Sequence, residues 1–354
     1  MKLKIQKYLD ITKMKNTLLL FKTALVLVTI AVLFSCSKSD NESSSTKDIY
    51  TSGFVIKGGI GVATVWKNGI PTDLTNGTYN AEAYQVIVEG ADVYVVGYES
   101  DGTNKKAMMW KNGIPTELTD GSMNAEASAI SVAGNDVYVA FYEFNGTYDI
   151  AKVWKNGVAS ELTDGMNESV PVAIKVVGSD VYIAGNEYYG TYRIAKYWKN
   201  GVSTELTDGT NDANLLDIQI VGNDVYTAGY ENNGTVDIAK YWKNTVATKL
   251  SDGANDASAN GIVIDGSDVH TTGYESNGTK KVAKYWKNKV PTPLTNGSQD
   301  AIAQDIVISG SDIYVTGYES TGTKAVAKYW KNTVATKLVP DTTGDSVTYS
   351  IFLK

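Results

Sequence analysis

The sequence predicts an all-β fold: a seven-bladed β-propeller of four-stranded blades, closed by the C-terminal strand completing the first blade. Three observations lead to this prediction. Trp-Lys-Asn recurs seven times at intervals of 44 residues, and a fixed period of this length is typical of propellers, solenoids and repeat arrays. Each period holds four short β-rich runs. The last run of the chain supplies the strand that the first period lacks.

Residues 1–35 have the pattern of a lipoprotein signal peptide. Lysines precede an apolar run from Ala24 to Phe34, which is too short to span a bilayer as a helix. The run ends in Leu33-Phe34-Ser35-Cys36, which resembles the lipobox of bacterial lipoproteins. The resemblance implies cleavage before Cys36, acylation of Cys36 and attachment to a lipid bilayer. A plain secretory signal is the alternative.

The start of the chain leaves two further points open. Met1 and Met14 are alternative start sites, and a start at Met14 would give a signal of ordinary length. Residues 36–47 are rich in Ser, Asp, Asn and Lys, which is typical of a flexible tether. The run 38–42 loosely resembles the export signal of Bacteroidetes surface lipoproteins. We therefore expect a cell-envelope protein, lipid-anchored in the outer membrane and exposed at the cell surface, with the periplasmic side as the alternative.

Residues 48–354 form the predicted propeller, and one repeat illustrates its strands. In the unit Ala213–Ser251, strands are expected at Ala213–Val221, Asp224–Glu231, Val236–Trp242 and Val246–Leu250. We name them A, B, C and D. Gly, Asn and Asp separate them, as is usual in tight turns. The D–A link is longer, so strand A should be the innermost strand and strand D the outermost.

The ends of the chain predict how the ring closes. An aspartate opens strand B in every unit, and the first of these is Asp48, so the first unit has no strand A of its own. Asp345–Leu353 falls in the register of strand A. Pairing of this last strand with the first unit leaves no open sheet edge, whereas a linear array would need capping repeats.

The seven tryptophans end strand C in every unit, which predicts a structural role as wedges between blades. Their alternative role is an aromatic platform for sugars. They are Trp66, Trp110, Trp154, Trp198, Trp242, Trp286 and Trp330. Asn-Gly follows Trp-Lys in the first four units and predicts type I′ turns. In the last three units Thr or Lys replaces Gly, so we expect slightly different turns there.

Three further repeated features have a structural and a functional interpretation. The turn lysines after each tryptophan are expected to be solvated, or to attract anions. The glutamates that end strand B are expected to cap turn amides, or to form a ligand or cation ring. The Asp-Gly pairs of the D–A loops, such as Asp120-Gly121 and Asp208-Gly209, suit Asx turns. Calcium binding is their alternative role, although the EF-hand spacing is absent.

A ligand site is expected where the repeats differ, because one ligand rarely matches sevenfold symmetry. The most variable positions are two adjacent ones in strand A: Tyr84-Gln85, Ser128-Ala129, Val172-Ala173, Leu216-Asp217, Asn260-Gly261, Gln304-Asp305 and Thr348-Tyr349. These strands surround the central channel, and ligands bind at concave sites with a few polar groups. The predicted site residues are Tyr84, Gln85, Asp217, Asn260, Gln304, Asp305 and Tyr349. Neutral drift in a channel that binds only water is the alternative.

Composition argues against several functions. Without residues 1–35 the chain has 26 basic and 38 acidic residues, a net charge of −12, and one arginine, Arg193. This balance disfavours nucleic acid. His270 is the only histidine and replaces a strand-B tyrosine, so we expect it to be a packed residue. We expect no catalytic residue, no cofactor and no metal site. A glycoside-cleaving enzyme using Asp217 and Asp305 remains the less favoured alternative.

The repeats resemble those of bacterial, Bacteroidetes-like propeller lipoproteins. Tyr197-Trp198-Lys199-Asn200-Gly201 and the run Gly229–Thr235 carry the resemblance, which covers residues 48–354. It implies the fold and the envelope location, and no activity. We expect a monomeric, non-catalytic binding module for a glycan or an envelope protein at the channel mouth. The alternative is a structural scaffold of the cell envelope.

Overall fold

The computed structural model describes residues 47–340 and 344–354. The predicted signal peptide, Cys36 and all of the tether except Lys47 lie outside the described residues. Within the described residues the chain forms seven four-stranded antiparallel sheets, each corresponding to one repeat. The seven-bladed propeller predicted from the sequence is therefore confirmed. No helix in this part of the chain is long and apolar enough to cross a membrane.

Each blade contains strands A to D in the predicted order. The A strands of blades 1 to 7 are β28 (Ser346–Leu353), β4 (Ala81–Glu89), β8 (Ala125–Ala133), β12 (Ser169–Val177), β16 (Ala213–Val221), β20 (Ala257–Asp265) and β24 (Ala301–Ser309). The B strands are β1 (Ile49–Lys57), β5 (Asp92–Ser100), β9 (Asp136–Phe144), β13 (Asp180–Tyr189), β17 (Asp224–Asn232), β21 (Asp268–Ser276) and β25 (Asp312–Ser320).

The C strands of blades 1 to 7 are β2 (Ile60–Lys67), β6 (Lys105–Lys111), β10 (Asp149–Lys155), β14 (Tyr192–Lys199), β18 (Asp237–Lys243), β22 (Lys281–Lys287) and β26 (Ala325–Lys331). The D strands are β3 (Ile70–Asp73), β7 (Ile114–Glu117), β11 (Val158–Glu161), β15 (Val202–Glu205), β19 (Val246–Lys249), β23 (Val290–Pro293) and β27 (Val334–Lys337). In the fifth blade, four of the eight predicted strand ends agree with these bounds and the other four differ by one residue.

The C-terminal strand completes the first blade, in the order β28-β1-β2-β3. The amide of Asp48 donates to the carbonyl of Lys354 at 2.9 Å, and the amide of Lys354 donates back to Asp48. The predicted register of this strand is wrong by one residue. Tyr349 is the residue skipped in the pairing of β28 with β1, as Gln304 is skipped between β24 and β25. Tyr349-Ser350, not Thr348-Tyr349, therefore corresponds to Gln304-Asp305.

Tryptophan side chains fill the spaces between neighbouring blades. Trp110 of blade 2 packs with Tyr50 and Ala63 of blade 1, and Trp242 of blade 5 packs with Ala184 of blade 4. Trp66, Trp110, Trp198, Trp242, Trp286 and Trp330 are at most 2% exposed, whereas Trp154 is half-buried. Rings buried to this degree have no free face on which a sugar could stack.

One end of the ring carries the A–B and C–D turns, and we call it the hairpin face. There the Asn68 side chain donates to Asp48 at 2.7 Å and accepts the amide of Ile49 at 2.8 Å. Lys67 pairs with Asp48 at 2.8 Å and lies over the ring of Tyr50. The same lysine–aspartate pair recurs in every blade. The turn lysines are thus neutralised by a carboxylate and do not form a free anion-binding ring.

Two sequence expectations about turns and glutamates need correction. Lys289 and Thr333 hold φ values of 74° and 73°, close to the 79° of Gly69, so these two turns keep the Asn-Gly form, whereas Thr245 does not adopt a positive φ and its turn differs as expected. Five of the six strand-B glutamates pair with a strand-C lysine instead of capping amides, whereas in blade 2 Lys106 pairs with Glu117 and not with Glu99. The pairs are Glu143–Lys152, Glu187–Lys196, Glu231–Lys240, Glu275–Lys284 and Glu319–Lys328. The cross-strand register places these partners on one face of the sheet.

Candidate functional site

A β-bulge in every A strand turns two successive side chains toward the central channel. In β4, Ala83 pairs with Gly97 and Gln85 pairs with Val96, so Tyr84 is the extra residue. A bulge of this kind bends the strand and redirects its side chains. Gly97 permits the close approach, because a Cβ atom there would lie 1.9 Å from the carbonyl oxygen of Glu82.

The A strands enclose one channel cavity of about 570 Å³. The structure brings together all seven predicted site residues along its wall: Tyr84, Gln85, Asp217, Asn260, Gln304, Asp305 and Tyr349. Their role in binding a ligand stays a prediction. Sequence reasoning missed Glu126, Lys175 and Gln219, which also line the cavity. The variation at their strand-A positions was a usable signal, but they lie outside the two positions chosen.

Three of the predicted site residues brace neighbouring blades by accepting a backbone amide of the next blade. The two carboxylate oxygens of Asp217 accept the amides of Ile218 at 2.7 Å and of Ile262, in the next blade, at 2.9 Å. Asp305 accepts the amides of Ile306 and Ile351 in the same way. Gln85 accepts the amide of Ile130 at 2.7 Å. These side chains thus have a structural task that the sequence did not reveal.

A small residue stands at the position equivalent to each brace in the next blade. Ala129 follows Gln85 around the ring, Gly261 follows Asp217, and Ser350 follows Asp305. A Cβ atom at Gly261 would meet the backbone of Gln304 and Asp305 at 3.1 Å. Part of the variation between repeats is therefore an alternation of long polar and small residues.

The two channel aspartates have pKa values raised above the ordinary range of aspartate. Burial and the charge of Asp305 raise the pKa of Asp217 to about 7, although Lys175 and the accepted amides oppose this shift. Burial also raises the pKa of Asp305. Between them, in blade 6, Asn260 donates to the carbonyl of Ala303 at 2.9 Å and to Gln304 at 3.3 Å. The channel wall between blades 5 and 7 is therefore mainly polar.

The opposite part of the channel mouth, at blades 1 to 3, is aromatic. The rings of Tyr84 and Tyr349 meet edge-on at 5.3 Å between centroids. The hydroxyl of Tyr84 donates to Glu126 at 2.6 Å, and that of Tyr349 donates to Glu82 at 2.7 Å. Burial, then the neighbouring carboxylates, raise the pKa of both tyrosines far above the ordinary range. Both hydroxyls therefore stay protonated.

The end of the ring opposite the hairpin face carries the D–A loops and B–C turns, and we call it the loop face. Its exposed large apolar side chains lie in blades 2 to 4 and the loops leading into them. We call this set the aromatic arc: Tyr79, Met123, Tyr148, Met166, Tyr189 and Tyr192, each 39–72% exposed. Later repeats place Asn211, Asn255 and Gln299 at the position of Met123, and Lys280 at that of Tyr148.

The hairpin between β13 and β14 is the most distinctive part of the aromatic arc. Tyr189 and Tyr192 flank a tight turn in which Gly190 has a φ of 66°. Arg193, the only arginine of the chain, follows them and donates to the hydroxyl of Tyr230 at 3.3 Å. Its guanidinium also lies 5.8 Å from the ring of Tyr188. The chain therefore places Tyr, Met and Arg on one sector of the loop face.

Two other features of the sequence have a structural explanation. His270 is buried, and its Nδ1 lies 2.6 Å from the hydroxyl of Tyr285. Asp120 and Asp208 accept the amides two residues ahead, as in Asx turns. In residues 47–340 and 344–354, no group of three or more His, Cys, Asp or Glu side chains is arranged to hold a metal ion.

Comparisons with known proteins support the architecture. TolB from Acinetobacter baumannii superimposes with a TM-score of 0.50 at 9% identity, over 91% of this chain and 86% of that chain. An acylaminoacyl peptidase from Pyrococcus horikoshii gives 0.49 at 9% identity, over 79% and 48%. Dipeptidyl peptidase 4 from Porphyromonas gingivalis gives 0.44 at 10% identity, over 84% and 51%.

The likeness to these structures extends to the fold alone. The chain spans about half the length of the two peptidases. No protein-family model matches the sequence, and no curated protein matches it either.

Proposed function

We propose that the protein is a non-catalytic binding module of the bacterial envelope that holds a protein partner on the aromatic arc. The observation that carries this proposal is the confinement of exposed Tyr and Met side chains to blades 2 to 4. The repeat does not demand apolar residues there, since blades 5 to 7 have Asn, Gln and Lys at matching positions. Clustered exposed apolar side chains mark interaction sites.

The chemistry of the arc favours a protein over a glycan. Tyr, Met and Arg are enriched at protein interfaces, and flexible Met side chains adapt to apolar partners. Met123 and Met166 are 41% and 72% exposed, and Tyr189 is 50% exposed. The adjoining mouth is aromatic at Tyr84 and Tyr142, and apolar at Val170 and Pro171. A peptide segment of the partner could therefore enter the channel from the arc.

Envelope location is supported by the sequence before the propeller. The apolar run ending at Cys36 predicts a signal peptide and an acylated cysteine. Such a chain would be attached to the outer membrane by its lipid. Labelling cells with radioactive palmitate and then purifying the protein tests the attachment. The wild-type chain should carry the label and fractionate with membranes, whereas Cys36→Ser should lose the label and appear in the soluble fraction.

The channel aspartates favour binding over catalysis. Carboxylate-pair chemistry needs one carboxyl to donate a proton and the other to act on the substrate. In this channel the oxygens of Asp217 and Asp305 accept backbone amides from two adjacent strands. Their arrangement suits a brace. An envelope scaffold without a specific ligand remains the alternative function.

Cross-linking in the native envelope tests the proposal. Met166→Ser with Tyr189→Ser removes two members of the arc, and Asn255→Ala with Lys280→Ala is the matched control in blade 6. We expect a protein that cross-links to wild type and control, and at least tenfold less to the arc variant. Equal recovery with all three chains would contradict the proposal. Glycan-array binding that only the arc variant loses would replace the protein partner by a glycan.

A further inference from the structure

The hairpin face carries a ring of exposed aliphatic side chains. The first residue of every D strand follows the C–D turn and is 66–71% exposed. We call these residues the aliphatic ring: Ile70, Ile114, Val158, Val202, Val246, Val290 and Val334. They are among the most exposed apolar side chains of the described residues, and every blade contributes one.

Neighbouring strands place a lysine beside each member of the aliphatic ring, and a tyrosine beyond it in every blade except blade 6, which has His270. In blade 1, Ile70 pairs with Lys67, which in turn pairs with Tyr50. In blade 5, the same row is Val246, Lys243 and Tyr226. Paired residues of adjacent strands lie on the same side of the sheet. Rows of aliphatic, lysine and tyrosine side chains are suited to a lipid–water boundary, where lysines extend toward the headgroups.

The geometry of the ring points to a flat occupant. Equivalent positions of a closed sevenfold repeat lie near one plane, perpendicular to the channel axis. All seven side chains can therefore touch a planar surface at the same time. A globular protein would meet them on one sector only. The aromatic arc differs from the aliphatic ring because it covers only three of the seven blades.

The distribution of charge agrees with a lipid surface. Residues 47–354 contain 25 basic and 36 acidic side chains, a net charge of −11. On the hairpin face each turn lysine pairs with the aspartate that opens strand B, as Lys243 does with Asp224 at 2.8 Å. This pairing leaves the hairpin face close to neutral, so most of the acidic excess lies elsewhere. An anionic membrane would therefore repel the hairpin face less than it would repel the rest of the acidic surface.

The described chain also begins on the hairpin face. Asp48 contacts Asn68 and Lys67 there, and Cys36 precedes it by 12 residues. Twelve residues span at most about 40 Å. A lipid on Cys36 would therefore keep the propeller close to the bilayer, with its first strand starting at the face that carries the aliphatic ring.

We propose that the hairpin face rests on the lipid headgroups and inserts the aliphatic ring into the membrane surface. This inference rests on the proposed acylation of Cys36. The lysines of the rows meet the headgroups, and the channel axis stands upright on the bilayer. The loop face then points away from the membrane, which exposes the aromatic arc and the channel mouth to a partner.

Fluorescence quenching in proteoliposomes tests the orientation. The full acylated chain is reconstituted into phosphatidylethanolamine–phosphatidylglycerol vesicles with bromine atoms high on the acyl chains. An environment-sensitive fluorophore is attached at Val246→Cys on the hairpin face, or at Thr235→Cys on the loop face of the same blade. We expect at least threefold stronger quenching at position 246 than at position 235. Equal quenching at the two positions would overturn the orientation.

A second set of variants tests the aliphatic ring itself. Ile70→Ser, Ile114→Ser and Val158→Ser are combined in the chain labelled at position 246, and quenching should fall at least twofold. Tyr79→Ser, Met123→Ser and Tyr148→Ser form the matched control and should leave it unchanged. Near-ultraviolet circular dichroism confirms folding. Unchanged quenching in the ring variant would overturn the inference alone, whereas a chain that does not float with vesicles would overturn the anchor and the inference together.

Discussion

The hairpin face and the channel wall differ in how the seven repeats use them. On the hairpin face, every blade has the same aspartate, asparagine and lysine, and these residues contact each other in the same way, as Asp92, Asn112 and Lys111 do in blade 2. On the channel wall, the two bulge positions differ from blade to blade. The repeated contacts act within a blade. The variable ones act between blades or face the cavity.

This difference separates two kinds of variation. Gln85, Asp217 and Asp305 each accept a backbone amide of the next A strand, where a small residue stands at the equivalent position. Asn260 and Gln304 contact each other across the wall and face the cavity. Positions where repeats differ are therefore not all candidates for ligand binding. Some are needed to hold seven similar blades in one closed ring.

The largest effect is expected at a tryptophan. Trp242→Ala should lower the free energy of unfolding by about 3–5 kcal/mol, because it leaves a cavity between blades 4 and 5. Trp154 is half-buried, so Trp154→Ala should cost clearly less. Denaturant unfolding of both variants measures the difference. Equal losses would mean that the repeated wedge does not depend on burial, and would weaken the distinction between repeated and variable positions.

Adjacent residues of one strand distinguish a brace from a cavity residue. Asp305→Ala should destabilise the protein by about 1–3 kcal/mol, because the amides of Ile306 and Ile351 lose their side-chain acceptor. Gln304→Ala should change stability by less than about 0.5 kcal/mol. Thermal and denaturant unfolding of the two variants provides the comparison. Similar values for both would show that the brace contributes nothing.

Much of the fold could be predicted because each strand and turn signal occurs in seven copies, so that a weak signal in one repeat is supported by the other six. The closure by β28 followed from the missing strand A of the first unit. The one-residue error at Tyr349 arose because the link before the last strand is one residue longer than in the other blades. A fixed interval of 44 residues cannot reveal such a change, and only the hydrogen-bonded register of β28 with β1 shows it.

The candidate site was harder to predict, for a physical reason. Strand-A variation located the channel wall and its seven residues, since the innermost strands of a propeller surround its axis. The sequence carries no information on where a carboxylate oxygen reaches in the next blade, so the bracing by Asp217 was not foreseen. The aromatic arc was also missed, because its members come from different loops and only the ring brings them together.

A pH titration examines the brace between blades 5 and 6. The pKa of Asp217 is raised to about 7 by burial and by Asp305, while an unfolded aspartate titrates near 3.9. Between about pH 4 and pH 7 the folded state binds more protons, so this group makes stability fall as the pH rises, by at most about 1.4 kcal/mol per pH unit.

Asp217→Asn cannot titrate, so its free energy of unfolding should depend less on pH between pH 4 and pH 7. Urea unfolding at several pH values gives the two slopes. Asn260→Ala, at a neutral residue of the same wall, should retain the slope of the wild type. An unchanged slope in Asp217→Asn would mean that this carboxyl is well solvated in the channel.

The smallest effect is expected where a single blade departs from the repeated row on the hairpin face. His270 stands where other blades have tyrosine beneath the turn lysine, and burial followed by the charge of Lys287 lowers its pKa. As the pH falls below about 6.5, the unfolded chain gains a proton that the folded state resists, so stability is lost.

His270→Tyr restores the row that blade 5 has, in which Lys243 lies 5.3 Å from the ring of Tyr226. Between pH 7.5 and pH 5 the variant should lose less free energy of unfolding than wild type. The difference between the two losses should be well under about 1.4 kcal/mol per pH unit. Parallel losses in urea unfolding would show that one histidine fits the row as well as a tyrosine does.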